Sequence, residues 1–183
     1  MRNSVFLLLR HLQEVCGYII YKKYYMKRTF DYKIGVISDT HGLVRKSVIK
    51  SFNDVDLIVH AGDIGTHEAL KTLQTIAKVY PVRGNVDGGK WCKNLPFIDV
   101  VQVDQVYLYV LHDLNELDLD PVAAGFNVVI SGHSHIPKIE EQNGILFLNP
   151  GSAGPRRFKY PISIAFLYIK GALIEAEIME LKG

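Results

Sequence analysis

Cysteine is scarce in this chain of 183 residues: Cys16 and Cys92 are the only two, and they form no CxxC pair. That shortage excludes a disulfide framework and a sulfur-rich zinc site, and it makes a reducing cytoplasm the expected compartment. A large charge of either sign is also missing. The net charge of +2 and the lack of a basic stripe leave no footprint for long nucleic acids or a membrane surface. Long hydrophobic runs are absent too. Near the N-terminus the run at residues 5–9 is stopped by Arg10, and VCGYII by Lys22 and Lys23, far short of the roughly 20 apolar residues that span a bilayer. The same stretch has too short an apolar core, and no small-residue cleavage site, to be a signal peptide. Internal repeats and low-complexity tracts do not occur.

What is present is an ordinary globular composition, 48% hydrophobic and 22% charged, too apolar for a disordered chain and long enough to bury a core without staples. Residues 1–30 are read as an extension: a disordered tail, a consequence of translation starting at Met26, or a weak membrane-surface or partner helix. Residues 31–183 are read as one domain.

From residue 33 onward, short apolar runs alternate with helix-like segments. KIGVIS (33–38), DLIVHAG (56–62) and KVYPVRG (78–84) read as strands, the last irregular or at an edge because Pro81 lacks an N–H for the ladder. RKSVIKSF (45–52) reads as a helix, and THEALKTLQTIA (66–77) puts Leu70, Leu73, Ile76 and Ala77 on one face behind Thr66 as N-cap. FIDVVQVDQVYLYVLH (97–112) reads as two strands turning near Asp104 and Gln105, and LDLDPVAAGF (117–126) as a short helix entered through Pro121. The rest is strand-like, with Asn143-Gly144 and Lys170-Gly171 as turns. The pattern predicts an α/β domain of two packed sheets flanked by helices.

Five of the apolar runs end in residues able to bind metal. The first runs into Asp39 and His41, the second into Asp63, and the third into Asn85; YLYVL runs into His112, and NVVISG into His133 and His135. Ligands in α/β sheets bind at the carboxyl ends of strands, where loops converge on a rigid support, so these seven side chains are candidates for one crevice. The spacing of two between His133 and His135 lets both imidazoles face one point. Two carboxylates, one amide and four imidazoles, with no thiolate, suit Mn, Fe, Zn, Co or Ni better than Ca. Seven ligands are too many for one ion. With one bridging carboxylate they divide between two ions about 3.5 to 4 Å apart, the arrangement that clamps attacking and leaving oxygens in phosphoryl displacement.

The motifs DTHG (39–42), HAGD (60–63), RGNVD (83–87), His112, SGHSH (131–135) and LNPGS (148–152) resemble those of calcineurin-like metallophosphoesterases, and among them the small YfcE-type phosphodiesterases. The resemblance implies a four-layer αββα sandwich of two mixed sheets with a dinuclear centre, Mn being the first expectation for both ions. It implies Asp39, His41 and His135 as ligands of one ion, Asn85, His112 and His133 as ligands of the other, and Asp63 as the bridge. The catalytic residues expected on this basis are Asp63, Asn85 and His112. The expected reaction is hydrolysis of a small phosphodiester by in-line attack of a metal-bridging water or hydroxide. A phosphomonoesterase or nuclease would use the same chemistry. A partner-binding module that kept the fold and lost catalysis, as in the retromer subunit resembling this family, is the rival from another class.

Two positions depart from the family pattern. Larger members follow Gly-Asn with a histidine able to act as general acid, but here that residue is Val86, which has no proton to give. Slower turnover and a preference for good leaving groups follow, unless Asp87 or a metal-bound water takes over. His112 is followed by Asp113 where the family has glycine. Asp113 then orients His112, adds a ligand, or points to solvent. In NPGSAGPRR (149–157), Asn149 and Gly151 look structural, while Arg156 or Arg157 is either a phosphate clamp or a solvated arginine. His60 reads as a core histidine and His67 as a helix-start residue.

Overall fold

The computed structural model describes residues 30–156 and 159–182; the extension expected over residues 1–30 lies outside that range but for Phe30, and so does Arg157. The apolar runs form strands β1 (Tyr32–Ile37), β2 (Leu57–His60), β3 (Lys78–Pro81), β4 (Ile98–Val103), β5 (Val106–Leu111), β6 (Val128–Ile130), β7 (Lys138–Gln142), β8 (Ile145–Asn149), β9 (Ser163–Lys170) and β10 (Leu173–Glu180). They make two mixed five-stranded sheets, ordered β10-β9-β1-β2-β3 and β4-β5-β6-β8-β7. Strands β1, β2 and β3 are parallel in the first sheet, and β5, β6 and β8 in the second. Pro81 ends edge strand β3, where its missing N–H costs no central ladder bond.

The two sheets pack face to face. Ile34, Val36, Val59 and Leu167 of the first meet Val101, Leu108, Val110 and Ile130 of the second in one apolar layer. These positions alternate along their strands, so register decides which residues are buried. Truncating a fully buried side chain such as Leu108 to alanine would cost about 2–5 kcal/mol.

Helices α1 (Lys46–Ser51) and α2 (His67–Gln74) lie on the outer side of the first sheet, where Val48, Phe52 and Leu73 pack on Ile37, Ile58 and Phe166. Thr66 caps α2 as expected, its side chain accepting from the Ala69 N–H at 3.2 Å. The helix stops at Gln74 rather than running to Ala77. The Thr75 hydroxyl donates to the Thr72 carbonyl at 2.7 Å, a local bond that competes with continued helix.

The outer face of the second sheet is covered differently. Tyr109, Leu111, Val129 and Ile145 pack under Leu117, Leu119 and Phe126, but the helix expected over 117–126 does not form. A three-residue 3-10 helix, Leu114–Glu116, precedes a stretch of turns. Asp120 accepts from the Val122 N–H through its side chain, and one helical turn closes from Ala124 to the Asp120 carbonyl before Gly125, at φ +78°, ends it. Among the described residues, no helix is long and apolar enough to cross a membrane.

Candidate metal centre

The carboxyl ends of β1, β2, β3, β5 and β6 point to one end of the sandwich, and the seven candidate residues sit on the loops that leave them. Backbone bonds knit those loops together. The Asp39, His41 and Gly42 amides donate to Gly62, Asp63 and Ile64 carbonyls, and Gly132 N–H donates to the His112 carbonyl. Five of the seven residues have left-handed backbones: Asp39 (φ 54°), His41 (45°), Asp63 (54°), His133 (63°) and His135 (60°). Each is unfavourable for a side chain bearing Cβ, and such conformations gather where function over-determines them. Two left-handed residues in one loop, His133 and His135, thus carry their imidazoles to the end of the sandwich where the other candidates lie.

The imidazoles fall into two pairs. His41 and His135 have ring centroids 5.5 Å apart, and His112 and His133 lie 5.1 Å apart. Asp39 sits with the first pair, its Oδ1 3.1 Å from His135 Nε2 and 3.9 Å from His41 Nε2. Asn85 sits with the second, its Oδ1 3.0 Å from His112 Nε2 and 3.1 Å from His133 Nδ1. Asp63 lies between the pairs, with Oδ2 4.0 Å from His41 Nε2 and Oδ1 3.4 Å from His112 Nε2.

These contacts fit divalent cations. Asp39 Oδ1 is buried and has no hydrogen-bond partner among the described residues, although two imidazole nitrogens face it. Its other oxygen accepts from the Ser38 hydroxyl at 2.7 Å and the His133 N–H at 3.1 Å, which aims Oδ1 inward. His112 Nδ1 lies 2.8 Å from the Ala61 carbonyl and must donate to it, leaving Nε2 of the neutral ring as a lone pair facing two oxygens. A proton or a cation resolves that opposition. Asp39, His41 and His135 each place one ligand atom within 4.8 Å of the others, and so do Asp39, Asp63 and His112.

The protonation energetics agree. Burial opposes ionisation of Asp63, but the His112 ring and the Val86 N–H outweigh it and hold the carboxyl below its ordinary value. Burial likewise works against a charged His112, and its bonds to Asp63 and the Ala61 carbonyl raise its pKa overall.

The residues around the seven have roles that motif reading did not separate. Asp87 is buried and accepts from the Ile64, Gly65 and Gly84 N–H groups at 3.2, 2.7 and 2.9 Å. It clamps the β2 loop to the β3 loop and is not available as a proton donor. Gly84 permits that approach, since a Cβ there would overlap Asp63 Oδ1 and N. His60 is a core histidine as expected, with Nε2 2.9 Å from Thr40 Oγ1, between two candidate ligands in sequence. Asp113 is not simply turned to solvent. Its Oδ1 accepts from the Asn115 N–H at 3.0 Å, and its Oδ2 lies 3.6 Å from His133 Nε2, so it addresses His133 rather than His112.

Residues 32–172 match the calcineurin-like phosphoesterase superfamily domain. The chain belongs to that superfamily. A probable metallophosphoesterase of Methanothermobacter thermautotrophicus is 35% identical over 158 residues, covering 80% of this chain and 91% of the relative. A phosphodiesterase of Methanocaldococcus jannaschii is 32% identical over 139 residues, covering 65% of this chain and 82% of the relative. Vacuolar protein sorting 29 from Cryptosporidium parvum shares the fold alone: TM-score 0.69 and 19% identity, over 84% of this chain and 100% of that one.

Within this phosphoesterase the NPGS loop closes the first-pair side of the cluster. Asn149 Nδ2 donates to the Gly132 carbonyl at 2.7 Å, Gly151 N–H returns to Asn149 Oδ1 at 2.9 Å, and Gly154 N–H donates to the Asp39 carbonyl at 3.2 Å. Arg156 lies exposed beyond it and makes no hydrogen bond or ion pair to the seven. His67 stacks on Trp91, ring centroids 6.3 Å apart.

Proposed function

We propose that this phosphoesterase is a dinuclear metal-dependent phosphodiesterase acting on a small diester. The observation that carries the reading is Asp63, which divides its two carboxylate oxygens between the two imidazole pairs. Asp39, His41 and His135 would hold one divalent ion, Asn85, His112 and His133 the other, and Asp63 both. When bound, such ions lower the pKa of water and screen charge developing on the phosphoryl oxygens.

The chain's own residues orient and fix this site. Ser38 and the His133 N–H hold Asp39, the Ala61 carbonyl sets the His112 tautomer, and the Val86 N–H fixes Asp63 Oδ1 at 3.0 Å. Neither Val86 nor Asp87, the residues that follow Gly-Asn, is placed to protonate a poor leaving group. Val86 is half exposed and apolar, and Asp87 is locked by three backbone donors. The substrate class this favours has an acidic leaving alcohol. Arg156 remains the proposed phosphate contact.

The test is hydrolysis of bis-p-nitrophenyl phosphate and p-nitrophenyl phosphate by chelator-stripped protein, with Mn, Ni, Co, Fe or Zn returned singly. The reading expects metal-restored cleavage with the diester preferred and Mn foremost. Equal inactivity with every metal would instead favour a binding module built on the phosphoesterase fold.

A further inference from the structure

A cavity of about 340 Å³ opens beside His133 on the outer face of the second sheet. Strand pairing sets its floor: Glu140 is opposite Phe147 and Lys138 opposite Asn149, so Phe147 shares a face with the polar row of β7. Leu114 and Asn115 of the 3-10 turn form one wall, and Ile136 another. Leu114 and Ile136 are 42% and 43% exposed, leaving apolar surface open to an occupant.

Lys138 on the cavity wall is paired with a carboxylate, its Nζ 2.5 Å from Glu140 Oε2, and a second carboxylate, Asp113, stands at the His133 end. Among the described residues a second phosphate would meet no free cation there, so a neutral group suits the cavity better than an anionic one. Hydrogen-bonding atoms remain at the rim. The Ser134 hydroxyl accepts from Asn149 Nδ2 and the Ile136 N–H, which leaves its own proton to donate. Asn115 gives its amide Nδ2 to Asp113 and keeps its carbonyl oxygen as an acceptor. The volume is at the low end of ligand pockets, enough for one ring-and-sugar unit and too small for a polymer or a long acyl chain.

We infer that this cavity seats the nucleoside of a nucleotidyl phosphodiester, with its base against Phe147, Leu114 and Ile136 and its phosphorus at the His133 end. The position of the phosphorus rests on the phosphodiesterase reading; the affinity of the cavity for a nucleoside does not. The two are therefore separable by experiment. In the first measurement, chelator-stripped, 15N-labelled full-length protein is titrated with uridine and with adenosine, glycerol serving as the control. Saturable shifts of the Asn115 and Gln142 side-chain amides are expected with the nucleosides and none with glycerol.

The second measurement restores the metal and compares thymidine 5′-p-nitrophenyl phosphate with methyl p-nitrophenyl phosphate, which lose the same p-nitrophenolate to water. Stacking on the apolar floor should favour the nucleoside ester in kcat/KM by about tenfold or more. Ile136→Glu, at an exposed position, should erase both the amide shifts and the preference, and Phe147→Ala should do the same from the floor. Absence of shifts together with equal kcat/KM would overturn the assignment, as would a preference that survives in Ile136→Glu. Nucleoside shifts abolished by Ile136→Glu in a protein that hydrolyses neither ester would uphold the cavity and sink the phosphodiesterase reading. Hydrolysis of both esters at equal efficiency, with no nucleoside shifts, would do the reverse.

Discussion

Acidification should weaken this fold through one buried side chain, His60. It ends β2 with no exposed surface, and burial pushes its pKa down to about 4 against the opposing pull of the Asp87, Asp39 and Asp63 carboxylates. Above pH 6.5 neither the folded nor the unfolded chain protonates this ring, and stability is fully present. Between 6.5 and 4 only the unfolded chain takes up the proton, so stability falls as pH falls; below 4 the loss is complete. The interval from 6.5 to about 4, at 1.36 kcal/mol per pH unit, amounts to about 3 kcal/mol. That is a large share of the roughly 5–15 kcal/mol by which domains are stable. The assay is urea unfolding of chelator-stripped protein in steps from about pH 7.5 to 4.5, for wild type and His60→Gln, which can still bond Thr40. The variant carries an offset of its own, so the informative quantity is the gap between the two curves, which should narrow by about 3 kcal/mol toward low pH. Asp63 does not confound this window, because its depressed pKa removes stability only below its ordinary value of 3.8. Parallel curves would refute the assignment of a proton-excluding His60.

Three substitutions test the site itself. Asp63→Asn should lower bound metal, read by elemental analysis, and cut hydrolysis by more than the roughly 10–100-fold typical of an outer-sphere partner. Asp113→Asn should weaken binding of the ion nearest His133 by about tenfold, read by calorimetric titration, while leaving the other ion's affinity unchanged. Gly84→Ala puts a Cβ onto Asp63 Oδ1 and N and should cost about 1–3 kcal/mol of unfolding free energy by urea titration, with metal affinity lost alongside.

Much of this arrangement was legible in the chain because the apolar runs end where the chemistry begins. Each of the seven candidate residues lies just past a strand, and hydrophobic periodicity marks strand ends well. The segment 117–126 misled because Pro121 and a pair of alanines suit a helix. Yet Leu117, Leu119 and Phe126 are placed by the need to cover Tyr109 and Val129, and Gly125 stops the single turn that forms. Asp87 reads in sequence as a substitute proton donor because its partners, three backbone amides, have no sequence signature. The same blindness applies to Asp113, whose neighbour His133 is twenty positions away. Ser38 reads in sequence only as the end of a strand, although its hydroxyl aims Asp39.

The most direct test of the central claim is anomalous diffraction from crystals loaded with Mn. The account predicts two peaks flanking Asp63, about 3.5–4 Å apart, one beside His41 and His135 and the other beside His112 and His133. A single peak, or peaks that leave Asp63 uncoordinated, would contradict it.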